Sequence, residues 1–314
     1  MKVKNLLWAV VAVVGLCCCQ GNPQPAVIRV ASYNLRNANG GDSARGNGWG
    51  QRYPYAVKQI EFQGFDIFGT QECFIHQLKD LKQAMPGYDY IGVGRDDGKE
   101  KGEHSAIFYR KDKFDVVEKG DFWLSETPEK PSKGWDAALP RVCSWGHFKC
   151  KDTGFEFLYF NLHMDHVGKQ ARVESAFLVQ QKMKELGRGK DLPAILTGDF
   201  NVDQTHKSYD ALVKDGVLCD SFEKAALKYA PNGTFNSFNP NGYTTSRIDH
   251  IFVSPSFRVK KYAVLTDTYR SVKKEEEGKT AGGDHPSEID VKVYEARTIS
   301  DHFPIVADLE YEVK

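Results

Sequence analysis

A chain of 314 residues is long enough for one large domain or two small ones, and its 41% hydrophobic content, with 19 phenylalanines, supplies enough apolar surface for a full core. Its 42 lysines and arginines balance 42 aspartates and glutamates, which argues against a strongly basic nucleic-acid binder while leaving room for a local basic groove.

The first 19 residues read as a separate unit. Lys2 and Lys4 precede an apolar run, Leu6 to Leu16, that ends in Cys17-Cys18-Cys19. A charged start and a short apolar stretch match a secretory signal, and the run is too short to span a bilayer comfortably. A cysteine closing such a segment also resembles the bacterial lipoprotein signal, in which that cysteine is lipidated. Leu16 stands at the usual apolar position, but Cys18 stands where a small residue is usual. Lipidation is the favoured expectation, with cleavage further on, near Pro25-Ala26, as the alternative. Residues 20–25 then form a linker, the protein is exported, and a lipid anchor is its one expected link to a membrane. Export permits disulfides among Cys73, Cys143, Cys150 and Cys219; spacing does not fix their pairing, and buried free thiols are the other possibility.

After the linker, Val27 to Asn34 alternates as a strand. The glycine-rich stretch Asn39 to Gly50 reads as a loop. Pro54 opens a helix through Phe62, since proline suits a first helical turn. Asp66 to Thr70 is a short buried strand, and Phe74, Leu78, Leu81 and Met85 recur at helical spacing. Strand then follows strand over 88–93, 105–109, 114–119, 142–148 and 155–161, with a Pro/Trp-rich loop over 127–140. A helix over 170–186 precedes a strand over 194–197, and another helix covers 206–214. Strands over 248–253, 258–265 and 305–311 close the chain, and Lys273 to Glu277 is a solvated charged loop. Two strand-rich regions with interspersed helices predict two packed sheets with helices outside. No linker divides residues 26–314, which are read as one domain.

Five short motifs punctuate this order: Ser32-Tyr33-Asn34, Thr70-Gln71-Glu72, Asn161-Leu162-His163, Gly198-Asp199-Phe200-Asn201 and Ser300-Asp301-His302. Four end an apolar, strand-like run and the fifth introduces one, so carboxylates, amides and imidazoles gather at one edge of a sheet core. Oxygen ligands suit a hard divalent cation, and two histidines suit proton transfer. Asp199 and Asn201, two apart on an extended segment, point the same way and can orient an attacking water. Glu72, just past a buried strand, is costly unless exposed, paired or bound to a cation. His163 can protonate a leaving alkoxide or steady a charged oxygen, with Asp165-His166 as an alternative pair. Asp249 is placed to orient a histidine. Asp284-His285 lies in a glycine-rich loop with no following strand and is read as a decoy. Each motif alone is commonly a turn or a strand end; their joint order is what points to chemistry.

Asn34, Gln71-Glu72, Asn161 to His166, Gly198 to Asn201, Arg247-Ile248-Asp249 and Ser300-Asp301-His302 together resemble the endonuclease/exonuclease/phosphatase superfamily, over about residues 26–313. The resemblance implies a deoxyribonuclease I-like α/β fold, a four-layer sandwich of two packed mixed β-sheets flanked by helices. It also implies phosphoester hydrolysis dependent on Mg²⁺, with Mn²⁺ as a substitute. Glu72 would be the principal metal ligand, with Asn34 and Asp301 nearby. Asp199 would position or deprotonate the nucleophilic water, and Asn201 would hold that water or a phosphate oxygen. His302, oriented by Asp249, would contact the scissile phosphate, and His163 would stabilise the transition state or help protonate the leaving group. Leu162 departs from the pattern, standing where the family commonly has threonine. Segments 134–141 and 166–172 are similar to an exported bacterial subgroup with poorly defined substrates. Arg141 and Arg172 are candidate phosphate contacts, weighed evenly against ordinary ion pairs.

The expected protein is a monomeric, secreted or surface-anchored phosphodiesterase or phosphatase acting on a small or headgroup-type phosphoester. An extracellular endo- or exonuclease is the alternative, disfavoured by the charge balance because phosphate-backbone binding recruits several lysines and arginines. A non-catalytic surface binding module of the same fold is a second alternative, and the complete polar set argues against it.

Overall fold

The computed structural model describes residues 26–189, 192–272, 276–286 and 288–312. The expected signal, its three cysteines, the linker and part of the charged 273–277 run lie outside the described residues. Strand β1 (Ala26–Asn34) leads through helices α1 (Gly40–Ala44) and α2 (Trp49–Gln63) to β2 (Ile67–Gln71) and α3 (Ile75–Ala84). The strands β3 (Tyr88–Ile91), β4 (Ile107–Arg110), β5 (Phe114–Trp123), β6 (Val142–Cys150) and β7 (Glu156–His163) follow. Helix α4 (Lys169–Leu186) precedes β8 (Ala194–Asp199), α5 (Lys207–Val213) and the short β9 (Cys219–Asp220), α6 (Ser221–Lys224) and β10 (Leu227–Tyr229). The chain closes through β11 (Asp249–Val253), β12 (Arg258–Val264), the hairpin β13 (Thr268–Val272) and β14 (Tyr294–Thr298), and β15 (Ile305–Tyr311).

Two mixed sheets result, ordered β10-β12-β15-β1-β2-β4-β3 and β5-β6-β7-β8-β11-β9. Period-two alternation of side chains accounts for the layers they form. In β1, Ile28 and Val30 enter the core between the sheets, while Ala31 and Tyr33 enter a second core with Ala56, Ile60, Leu78 and Leu81 of α2 and α3. In β7, Phe157 and Tyr159 face the first sheet, while Leu158, Phe160 and Leu162 pack beneath Ala176, Val179 and Met183 of α4. Helices therefore cover both outer faces, which is the expected four-layer α/β sandwich.

The same alternation builds a polar edge. On the inner face of β1, Ser32 and Asn34 succeed Ile28 and Val30; on β7, Asn161 and His163 succeed Phe157 and Tyr159; on β8, Thr197 and Asp199 succeed Ile195. Strands β1 and β2 are parallel, as are β7 and β8, so each pair delivers its polar end together. The antiparallel β11 and β15 begin where those strands end, Asp249 opposite Asp199 and Ile305 opposite Ser32. Just below this edge a buried polar layer joins the sheets. Gln71 Nε2 donates to Ser32 Oγ (3.1 Å) and Asn161 Oδ1 (2.8 Å), and Thr197 Oγ1 donates to the same Asn161 Oδ1 (3.0 Å).

Some local expectations are corrected. The 39–50 stretch is not wholly loop: Asn39 Oδ1 caps α1 by accepting from Asp42 N–H (2.9 Å), and Trp49 and Gly50 already belong to α2. Pro54 accordingly lies inside α2 rather than opening it. The N–H that proline lacks would have paired with Gly50, an exposed residue whose carbonyl can turn to water instead. The β13–β14 hairpin and the short β9, α6 and β10 carry too little apolar periodicity to be read from sequence. Cys73, Cys143, Cys150 and Cys219 are free thiols, the first three buried.

Candidate active site

At the polar edge Asn34 bridges the two sheets. Its Nδ2 donates to Glu72 Oε1 (3.1 Å) and to Asp199 Oδ2 (2.9 Å). Asp199 Oδ1 accepts from Asn201 N–H (2.9 Å), and Asn201 Nδ2 donates to His163 Nε2 (3.0 Å) and to Met164 O (2.9 Å). His302 Nδ1 pairs with Asp249 Oδ2 (2.8 Å), and its Nε2 lies 3.7 Å from Asp199 Oδ2. Asp301 sits on the Glu72 side, where Arg36 spans the two: 3.6 Å to Asp301 Oδ2, 3.7 Å to Glu72 Oε2 and 2.8 Å to Asp42 Oδ2. Asn34, Glu72, His163, Asp199, Asp249, Asp301 and His302 are all buried, and Asn201 is half-buried.

Backbone strain concentrates here. Arg36, Glu72 and Asn201 adopt φ values of 56°, 65° and 52°, a left-handed conformation that costs a non-glycine residue roughly 1 kcal/mol or more. Each lies one or two residues past the end of a strand, at or just beyond a site residue, where the chain turns. Hydrogen bonds hold the turns. Asn34 Oδ1 accepts from Arg36 N–H (3.0 Å), and the buried Arg52 donates to the carbonyls of Leu35 (2.8 Å), Arg36 (3.2 Å) and Ile299 (2.9 Å).

The electrostatics split the two histidines. Burial works against a charged His302, but Asp249 and then Asp199 overcome it and raise its pKa well above the ordinary value. It is an imidazolium at neutral pH. Burial, with Arg141 and Arg95 adding to it, holds His163 well below the ordinary value, so that ring is neutral. Asn201 fixes its tautomer, because an amide that also donates to Met164 O presents its NH₂ to His163 Nε2. The proton therefore resides on Nδ1, 3.9 Å from Glu103 Oε2. Burial, then Asp249, pushes Asp199 up to about 7, and burial, then Glu72, raises Asp301.

Other candidates fall into place less uniformly. Arg141 is buried beside His163, with Nε 3.3 Å from Asp165 Oδ2 and Nη2 2.9 Å from His166 Nδ1. Arg172 is placed elsewhere: its Nη1 donates to Asp165 O (2.8 Å) and braces the turn after β7. Asp165 accepts the N–H groups of Ala138, Leu139, Val167 and Gly168, and His166 Nδ1 stands 4.0 Å from its Oδ2. Among the described residues, His285 of the decoy pair meets the carbonyls of Ala281 and Pro286, within its own loop. Sequence reasoning missed Arg36, Asn37, Arg95 and Glu103. Asn37 Nδ2 donates to Glu72 Oε2 (3.2 Å) and Glu103 Oε1 (3.1 Å), and Arg95 pairs with Glu103. One signal was present: Glu103-His104 precedes a buried strand just as Asp301-His302 does.

The donors fit a hard divalent cation. Glu72, His163 and Asp199 present ligand atoms within 4.8 Å of one another, as do Asp199, Asp249 and His302. Burial first, and then the carboxylates of Asp249 and Glu72, raise Asp199 and Asp301, and a bound cation would offset both. With these donors stand a cationic imidazole for an anionic oxygen and a carboxylate able to take a proton from water.

Comparison with known proteins agrees with this geometry. The model of the endonuclease/exonuclease/phosphatase family matches residues 31–302. A solved structure of a family member from Bacteroides thetaiotaomicron is 73% identical, covering 92% of this chain and 97% of its own, with a TM-score of 0.85. A mannosyl-6-phosphatase from the same species is 74% identical, covering 90% of this chain and 99% of its own, with a TM-score of 0.83. A family member from Bacteroides vulgatus is 36% identical, covering 91% and 100%, with a TM-score of 0.77.

Proposed function

The chain belongs to the endonuclease/exonuclease/phosphatase family, and we propose on that footing that it is an exported, Mg²⁺-dependent phosphomonoesterase acting on a terminal sugar phosphate of the mannose 6-phosphate kind. One observation carries the hydrolytic part: a charged His302 faces Asp199, a carboxylate raised to about 7, across 3.7 Å. An anionic phosphoryl group and a water to attack it require that pairing of acid and base. The sugar phosphate is favoured by the 74% identical mannosyl-6-phosphatase.

Glu72, Asn34 and Asp301 would hold the divalent cation, which supplies charge neutralisation on the phosphoryl oxygens. Asp199 positions the attacking water and takes its proton, a task suited to a carboxylate near neutrality. His302, held charged and oriented by Asp249, binds the scissile phosphate. Asn201 holds His163, whose remaining N–H steadies charge on the reacting phosphate or leaving oxygen.

Export and lipid anchoring at the Cys17 to Cys19 cluster complete the proposal. Strand β1 enters at Ala26 and ends in the site at Asn34, so a tether would attach roughly 26 Å from the catalytic edge and leave it facing outward. Palmitate labelling, lost when the three cysteines become serine, checks the anchor.

The deciding experiment is hydrolysis of mannose 6-phosphate and of paired chromogenic mono- and diesters by the mature domain, with Mg²⁺, with chelator, and with Glu72→Ala. Mg²⁺-dependent phosphate release that prefers monoesters and falls about 10³-fold in the variant is expected. Full activity in chelator or in Glu72→Ala overturns the assignment.

A further inference from the structure

Beside His163 lies a cavity of about 10 Å³ lined by Arg95, Glu103 and Arg141, which is room for about one oxygen-sized atom. Four polar atoms of its lining residues, which include His104, are buried without a partner: Arg95 Nε, His104 Nε2, Arg141 Nη1 and His163 Nδ1. The arginine and His163 atoms are donors, whereas His104 Nε2 is an acceptor, because its Nδ1 donates to Cys73 O (3.2 Å). A guanidinium N–H can only donate, and His163 presents Nδ1–H because its Nε2 accepts from Asn201. Arg95 and Arg141 also crowd one another: burial first, and then the charge of Arg95, hold the Arg141 pKa below its ordinary value. Glu103 answers Arg95, while Asp165, the partner of Arg141, already accepts four backbone N–H groups. The corner thus holds three unpartnered donors and two guanidinium groups, with the Glu103 carboxylate and His104 Nε2 as its acceptors, around a space one atom wide.

We propose that Arg95 and Arg141, with His163 Nδ1–H, take one non-bridging oxygen of a terminal phosphate and thereby restrict the enzyme to phosphomonoesters. This rests on the phosphatase reading and names what selects the ester. A terminal phosphate carries three non-bridging oxygens and up to two negative charges; a diester carries two and one, its third oxygen being esterified to carbon. His302 and the Glu72–Asp301 side offer places for two oxygens. The third corner has room for an oxygen but none for the carbon that follows it in a diester. Two guanidinium groups there favour the dianion further. Arg95 is therefore a specificity residue alongside Arg141.

The test compares kcat/KM on a chromogenic monoester and its matching diester for wild type, Arg95→Met and Arg141→Met, with thermal unfolding to confirm folding. A charged hydrogen bond predicts a monoester loss of about 100-fold in each variant, with the diester changed by less than about threefold. Inhibition by orthophosphate should weaken in parallel. Equal losses on both esters in folded variants, or no loss, overturn the pocket and leave the arginines as scaffolding around a buried water, with the phosphatase reading intact. If wild type hydrolyses neither ester with Mg²⁺, the phosphatase reading fails instead. Calorimetric binding of orthophosphate then decides the pocket on its own: weakening of about 100-fold in the variants supports it, and equal binding overturns it. Should the methionine variants not fold, Arg95→Lys and Arg141→Lys carry the same comparison, keeping charge but losing the planar fork.

Discussion

His302 keeps its proton because two carboxylates, Asp249 and Asp199, flank a ring that burial alone would neutralise. Replacing Asp249 by Asn removes the larger of those two supports while preserving size. The His302 pKa should then fall toward the ordinary 6.5, readable by NMR titration of its ring protons in the metal-free protein. Activity should drop about 10²-fold or more, since a positioned acid or base contributes on that scale. The sign of the pH dependence follows: a lowered pKa means the variant loses the imidazolium as pH rises, so its residual activity declines across neutrality where wild-type activity does not. An unshifted His302 would refute the pairing. Glu103 makes the complementary point at this scale. Its side chain lies between Arg95, Asn37 and His163, and neighbours that differ by 8, 66 and 60 positions give no local pattern to read.

Between β7 and α4 the chain is organised by one carboxylate. Asp165 accepts the N–H groups of Ala138 (3.1 Å), Leu139 (3.3 Å), Val167 (3.0 Å) and Gly168 (2.8 Å), tying the 127–140 loop to the start of α4 and aiming Arg141 at the site. Asp136 works in the other direction, accepting from Gln170 and Ala171 in the first turn of α4. Burial opposes the Asp165 charge, but the backbone donors at Gly168, Ala138 and Val167 overcome it and hold its pKa well below the ordinary 3.8. A carboxyl with a depressed folded pKa stabilises fully above its unfolded value and loses that contribution as pH falls toward the folded one. Asp165→Asn should therefore destabilise the protein by about 2–3 kcal/mol at neutral pH, with the deficit shrinking below pH 3.8. Denaturant unfolding across that range checks both claims, and limited proteolysis should cut the loop sooner in the variant. An equal deficit at every pH would show that packing, not charge, is what Asp165 supplies.

At the scale of the molecule the two sheets pack tightly against one another at Gly69. A Cβ there would lie 2.1 Å from Asn161 Oδ1 and 2.5 Å from Thr197 Oγ1, the atoms that join the sheets beneath the site. Gly69→Ala must displace that layer, so it should cost about 1–3 kcal/mol of stability, as overpacking does. Asn161 also precedes His163 on the same strand face, so activity should fall with it; thermal unfolding alongside hydrolysis measures both. Such a contact is invisible in the sequence, where Gly69 is one small residue in an apolar run. The strands and their polar termini were legible because period-two alternation and apolar runs are local properties of a chain. From these, with the joint order of the motifs and their family resemblance, Asn34, Glu72, His163, Asp199, Asp249, Asp301 and His302 could be singled out, and a sandwich of two sheets expected. Which atoms then meet was decided by tertiary structure: Asn34 reaches Asp199 across 165 positions, Arg36 turns onto Glu72 and Asp301, and Arg172 turns away beneath Asp165. The protonation of each group was decided there too. A pKa depends on how much water the packing removes and on which charges it brings near, and neither exists until the sheets close on one another.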